Sequence, residues 1–201
     1  MELVVAMARR RMVRSLRSDP LESPVVERLL AAANRAPSAG FAQGVDLVVL
    51  EGPDETERYW QATLPLERRA GFPWPDLLLA PVLVVLCADP GAYVGRYAAP
   101  DKRHTGLGAG VDAWAVPFWF VDAGMAAENL LLAVVDEGLG ACFFGVFDHE
   151  PALKAALGIP AAVRTVGTLA IGRPVAERER LSGSAARGRR GVGEVVHRGH
   201  W

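Results

Sequence analysis

Apolar residues recur at helical spacing among arginines from Met7 to Leu16, and the pattern predicts an opening helix with a strongly basic face. A second helix starts at Ser23-Pro24, Ser23 as N-cap and Pro24 at the first helical position, with Val25, Val26, Leu29, Leu30 and Ala33 on one stripe. It should stop at Ala36, because Pro37 disfavours the α conformation in the residue before it. Val45 to Glu51 reads as a strand, Pro53-Asp54 opens a short helix holding Tyr59 and Trp60, and residues 63–76, with three prolines and a glycine, read as a loop. The continuous run PVLVVLCA, residues 81–88, is the pattern of a strand covered on both faces.

From Asp89 to Phe120 the chain turns Gly-, Pro- and aromatic-rich, which suits a lid. Asp122 to Leu139 is the strongest helical pattern, with Ala123, Ala127, Leu130, Leu131, Val134 and Val135 apolar and Gly138 and Gly140 ending it. A strand at about 141–146, a helix at about 150–157 and a strand at about 163–171 follow. After Pro174 comes a polar Arg/Gly/Ser-rich arm, 175–201, without an apolar face of its own. Such an arm packs on its own domain or reaches to a second subunit. Alternating strands and helices from residue 23 onward imply an α+β or α/β sandwich in one domain, 1–201.

Composition narrows the classes. The 201 residues are 51% apolar and 22% charged, a profile that excludes disorder and collagen. Lys and Arg (22) against Asp and Glu (23) leave a net charge of −1, so the total points neither to nucleic acid nor to an anionic membrane. The longest apolar stretch, Leu77 to Ala88, is 12 residues against the roughly 20 of a membrane span. The N-terminus has apolar residues before its arginines, the reverse of a signal peptide, so the cytoplasm is the expected compartment. Cys87 and Cys142 lie in apolar runs without metal spacing and read as core thiols.

Four features could carry chemistry. Arg9, Arg10, Arg11, Arg14 and Arg17 crowd the opening segment, and Arg10 and Arg14, four apart, would share a helix face; their forks suit a phosphate, or the face is simply solvated. Arg187, Arg189 and Arg190 sit among glycines near the other end, as an anion site or as a basic tail. Two arginine-rich ends on a near-neutral chain suggest that they meet at one anionic ligand. The turn Ala36-Pro37-Ser38-Ala39-Gly40-Phe41-Ala42-Gln43 could cradle a flat polar ligand or merely connect helix to strand. In Gly138-Leu139-Gly140-Ala141-Cys142-Phe143-Phe144-Gly145, glycines bracket an apolar strand and would admit something planar, or they cap a helix before a core strand. Gly106 to Gly110 lacks the third glycine of a dinucleotide fingerprint, no P-loop occurs, and His197 and His200 have no accompanying ligand cluster.

In order, these pieces resemble the nitroreductase family of flavoproteins. Arg10-Arg11-Met12-Val13-Arg14 resembles its opening RRSxR element, and Pro24 to Gln43 its helix ending in APSxxNxQ. Gly124-Met125-Ala126-Ala127-Glu128-Asn129-Leu130 through Gly145 is similar to its central helix and GLG strand, and Leu157-Gly158-Ile159-Pro160 with Thr168 to Pro174 to its LGIP…ALGxP stretch. Arg189-Arg190 to His197 resembles its closing RRPLEEVVH. The resemblance covers the chain apart from residues 52–76 and 89–120. It implies a central, mostly antiparallel sheet between helices and a homodimer with one FMN, held noncovalently, at each of two shared sites. By that resemblance Arg10, Arg11, Met12 and Arg14, with Arg189 or Arg190, would hold the phosphate end. Pro37, Ser38, Ala39 and Gly40 of the other subunit would line the flavin, and the Gly145 amide would face flavin N5.

Three residues depart from the family's pattern: Met12 replaces its serine, Phe41 its asparagine, and Gly44 stands where proline is common. Phe41 would stack over the isoalloxazine or fill the substrate pocket, and Trp114, Phe118 and Trp119 would select the acceptor or pack at the dimer interface. The implied activity is ping-pong hydride transfer from NAD(P)H, through the flavin, to a small electron-poor acceptor such as a nitroaromatic or quinone. Alternatives are an FMN storage or sensing protein without turnover, or a dehalogenating or flavin-fragmenting enzyme.

Overall fold

A computed structural model describes residues 1–175 and 187–201. In chain order the helices and strands are α1 (Leu3–Arg9), α2 (Ser23–Ala33), β1 (Val45–Glu51), α3 (Gly52–Thr63), α4 (Leu66–Arg69), β2 (Val82–Ala88) and α5 (Pro90–Ala98). They continue with α6 (Phe118–Asp136), β3 (Gly140–Phe144), α7 (Glu150–Leu157), β4 (Arg164–Gly172) and α8 (Val192–Val195). The strands form one sheet in the order β1-β2-β4-β3, and every neighbouring pair is antiparallel, which decides for α+β.

β2 is buried along its whole length because both faces of the sheet are covered. Side chains alternate across a strand, so Val82, Val84 and Leu86 join Leu169, Ile171 and Ala141 in a core closed by α2 and α6, with Val26, Leu29, Leu130 and Val134. Leu83, Val85 and Cys87 point the other way, with Ala170 and Cys142, into a core closed by α3 and α7, with Tyr59, Trp60 and Leu153. α6 is long and apolar enough to cross a membrane by length and composition, and its apolar residues pack against the sheet and α2.

The opening of the chain departs from its sequence pattern. The helix spans only Leu3–Arg9, and from Arg10 to Arg17 the backbone runs extended, so Arg10 and Arg14 do not share a helix face. The cause is tertiary: Val13 N–H donates to Ala141 O at 2.8 Å and Arg17 N–H to Arg173 O at 2.9 Å, while Val13, Ser15 and Leu16 become buried. Extra sheet hydrogen bonds and core burial outweigh the helical propensity of an arginine run. Residues 63–76 likewise contain α4, and α6 begins at Phe118, so Phe118, Trp119 and Phe120 form its first turn instead of ending a lid. The rest of 89–120 is α5 and three short 3-10 turns that wrap Tyr93, Trp114 and Trp119 into a third cluster. Residues 176–186 of the expected arm lie outside the described residues.

Candidate functional site

Two motifs far apart in sequence lie side by side. Met12 forms a parallel bridge with Ala141, and the Phe143 N–H donates to the Met12 Sδ at 3.3 Å, so the thioether serves as a backbone acceptor. The approach needs a bare backbone, since a Cβ on Gly140 would lie 2.9 Å from Val13 Cγ1. Pairing the arginine segment with β3 brings Arg14 and Gly145 onto one cavity of about 390 Å³, walled by Trp60, Trp74, Phe144 and Phe147. That volume lies within the range of small-molecule sites.

The walls are flat. Trp60 and Phe144 stack at 6.0 Å with planes 12° apart, and the Arg14 guanidinium lies 5.1 Å over the Trp74 ring. Gly145 is the first residue past the β3 ladder, whose last pair is Phe144 with Thr168. Phe147 has φ +49°, is 83% exposed, and rests its ring against Gly145. Tyr59, on the same cavity, is pushed up to about 12 by burial, so its phenol stays protonated. The Trp60 indole N–H, also on this wall, is buried with no partner among the described residues. An aromatic-walled cavity with a guanidinium and an unpartnered indole N–H, its Gly145 face covered by the Phe147 ring, fits a planar, heteroatom-rich anion such as FMN.

The 37–43 turn lies elsewhere on the surface, in contact with α5 and α6, and none of its residues lines the cavity within one chain. Ala39 N–H donates to Asp122 Oδ2 at 2.8 Å, Gly40 O accepts from Arg96 Nε at 2.8 Å, and Gln43 N–H donates to Ser38 Oγ at 3.0 Å. Pro37 is exposed, Ser38, Ala39 and Gly40 are half-buried, and Phe41 is 74% exposed.

The other sequence-flagged residues separate. Arg10 pairs with Glu128 at 3.3 Å, and Arg11 is exposed. Trp114 and Trp119 are interior, edge-on to Tyr93, whereas Phe118 is exposed. Arg189 and Arg190 are exposed; Arg190 donates to the Glu194 carbonyl and lies 3.7 Å from its carboxylate. Neither lines the cavity that holds Arg14. Sequence reasoning missed Trp60, Trp74 and Phe147 as cavity walls, and Asp122 as an anchor. The legible signal for Asp122 was an acid on the stripe Trp119, Asp122, Ala126, Leu130, where every other member is apolar.

Known proteins resemble this chain in sequence and fold. A 5,6-dimethylbenzimidazole synthase from Rhodospirillum rubrum is 30% identical, over 89% of this chain and 87% of that protein. An FMN reductase [NAD(P)H] from Bacillus subtilis is 26% identical, over 86% of this chain and 66% of its own length. The crystal structure of a nitroreductase family protein from Clostridium novyi NT superposes with a TM-score of 0.69 at 21% identity, covering 90% of this chain and 89% of that one. The family model described as "Nitroreductase family" matches residues 7–173, and the chain belongs to that family.

Proposed function

We propose that the protein is an FMN-dependent NAD(P)H oxidoreductase that passes hydride to a small electron-poor acceptor, a nitroaromatic or a quinone, in a ping-pong sequence. The observation that carries this reading is the pairing of the Arg10–Arg14 segment with β3, which sets a cation and a bare glycine backbone on one flat cavity. Family membership supports oxidoreductase chemistry, and the Bacillus relative's name supports flavin and NAD(P)H as its reactants.

Arg14 would hold the phosphate end of FMN through charge-assisted hydrogen bonds, whereas Arg10, paired with Glu128, and the exposed Arg11 lie off this cavity in a single chain. The Gly145 N–H would donate toward flavin N5, and donors there stabilise the negative charge of the reduced state. Bound FMN supplies the centre that accepts and releases hydride, so no side-chain acid is required for that transfer. Pro37, Ser38, Ala39 and Gly40 would line the flavin of a second copy, with Phe41 at its acceptor side, and Arg189 or Arg190 would add to the phosphate site. Trp114 and Trp119, being interior, would shape an acceptor pocket from behind, whereas Phe118 would be able to touch an acceptor.

A second reading has its own support. The product named for the Rhodospirillum relative contains the dimethyl-substituted benzenoid ring that a flavin also carries, which favours flavin fragmentation as the alternative activity.

The first experiment is the visible spectrum of protein purified without added flavin, followed by anaerobic NADH or NADPH. A flavin spectrum that bleaches with nucleotide and recovers with a quinone is the expected result. A colourless protein that takes up no FMN would overturn the proposal, and flavin without nucleotide reduction would turn it into a storage or sensing protein. Aerobic loss of flavin absorbance with release of a benzimidazole would favour the second reading.

A further inference from the structure

We infer that Asp122 is a positioning residue whose buried carboxylate anchors the 38–43 loop and thereby fixes Phe41 outward, where it selects the acceptor. The selecting role rests on the oxidoreductase reading above; the anchoring stands on the structure.

Asp122 is 1% exposed on a helix stripe that is otherwise apolar. A carboxylate is costly to bury unless hydrogen bonds replace its water, and here a single oxygen, Oδ2, accepts from the Ala39 N–H at 2.8 Å and the Tyr93 O–H at 2.7 Å. Tyr93 is itself fully buried and edge-on to Trp114 and Trp119. The acid is therefore fixed in a rigid aromatic cluster, and the loop amide is fixed to the acid.

A second anchor acts one residue on. Arg96 donates to Gly40 O at 2.8 Å, and its fork is held by Asp101 at 2.9 and 2.6 Å. The Tyr97 ring presses from below, so closely that a Cβ on Gly40 would lie 2.7 Å from it. Between and beyond these anchors the backbone is left-handed at Gly40 (φ +60°), Phe41 (φ +58°) and Gln43 (φ +52°). Phenylalanine rarely adopts that conformation, and such strain persists only where surrounding contacts over-determine it. The aromatic ring carried there is 74% exposed in the single chain. At the flavin site of a second copy, as proposed above, a large, flat, outward side chain would meet the acceptor.

The test uses hydrogen exchange of the 38–43 amides in flavin-free protein, then steady-state kinetics of the flavin-loaded enzyme with a quinone. Asp122→Leu removes the acceptor, and the Ala39 amide should exchange about tenfold faster or more, as expected for a lost bond to a charged group. Asp122→Asn keeps an acceptor oxygen without the charge and should fall between, a partial rescue. Quinone KM should rise in Asp122→Asn with kcat less affected. In a Phe41→Ala background the same substitution should add nothing, since neighbours acting through one contact are not additive. Unchanged exchange at 38–43 in the Leu variant overturns the inference, and unchanged exchange in Asp122→Ala does so if the Leu variant does not fold. A KM effect that survives undiminished in Phe41→Ala overturns the role of Phe41. Wild-type protein that binds no FMN would sink the oxidoreductase reading while leaving the exchange result to judge the anchor.

Discussion

Arg14 is the side chain on which the proposed cofactor site most directly depends, because it alone of the opening arginines lines the cavity shared with Gly145. Arg14→Ala should weaken FMN binding by roughly ten- to a hundredfold, the worth of one hydrogen bond to a charged group, in a flavin fluorescence titration. Glu150 makes a prediction about pH. Burial would raise its carboxyl, but Arg164 at 3.1 Å, the Thr165 N–H at 2.9 Å and Lys154 at 3.3 Å prevail and hold it at about 2, below the usual 4.5. Its folded-state value being depressed, the stabilisation is complete above about pH 4.5 and is lost as pH falls through 2. Urea titrations should show Glu150→Gln losing about 2 kcal/mol relative to wild type near neutrality, a difference that shrinks towards zero as pH falls below about 2, the order expected for a shift of this size. The arginines, the glycines and Phe41 were readable as candidates because their chemistry is unusual for their surroundings. Asp122 was not, since an isolated acid in a helix gains meaning only from the amide and phenol that fold onto it.

Among the elements, the extended Arg10–Arg17 segment shows how far a local pattern can mislead. Its arginines favour a helix, yet β3 leaves hydrogen-bonding groups and a glycine surface that an extended chain satisfies better. Gly140→Ala should therefore separate the two: the added methyl meets Val13 at 2.9 Å and Leu16 at 3.3 Å, costing about 1–3 kcal/mol of overpacking. Thermal melts should register the loss, and FMN affinity should fall with it, because Arg14 rides on the displaced segment. A stable variant with unaltered flavin binding would argue that the pairing does not position Arg14. By contrast β2, α7 and most of α2 and α6 were legible, because a run buried on both sides, or a stripe of aliphatics, allows few other placements. The start of α6 was not, as Phe118 to Phe120 look alike whether they cover a lid or begin a core helix.

As a whole, the molecule leaves much apolar surface uncovered in one chain: Leu3, Val4 and Met7 of α1, Phe41, Phe147, and Val192 and Trp201 near the C-terminus. The proposed second copy, completing each site across the split between the Arg14 cavity and the 37–43 loop, would give such side chains a surface to cover. Sedimentation equilibrium should give twice the 21.5 kDa chain mass, and a monomer that still binds FMN tightly would refute the shared site. Periodicity and composition were enough for a sandwich of strands and helices, α+β or α/β, and for its buried central strand, since these follow from which side chains must leave water. The strand order, the extended opening segment, the meeting of Arg14 with Gly145 and the anchoring of Ala39 by Asp122 depended on the tertiary structure. Each is a contact between residues tens to more than a hundred positions apart, whose free energy exists only once the chain has closed around them.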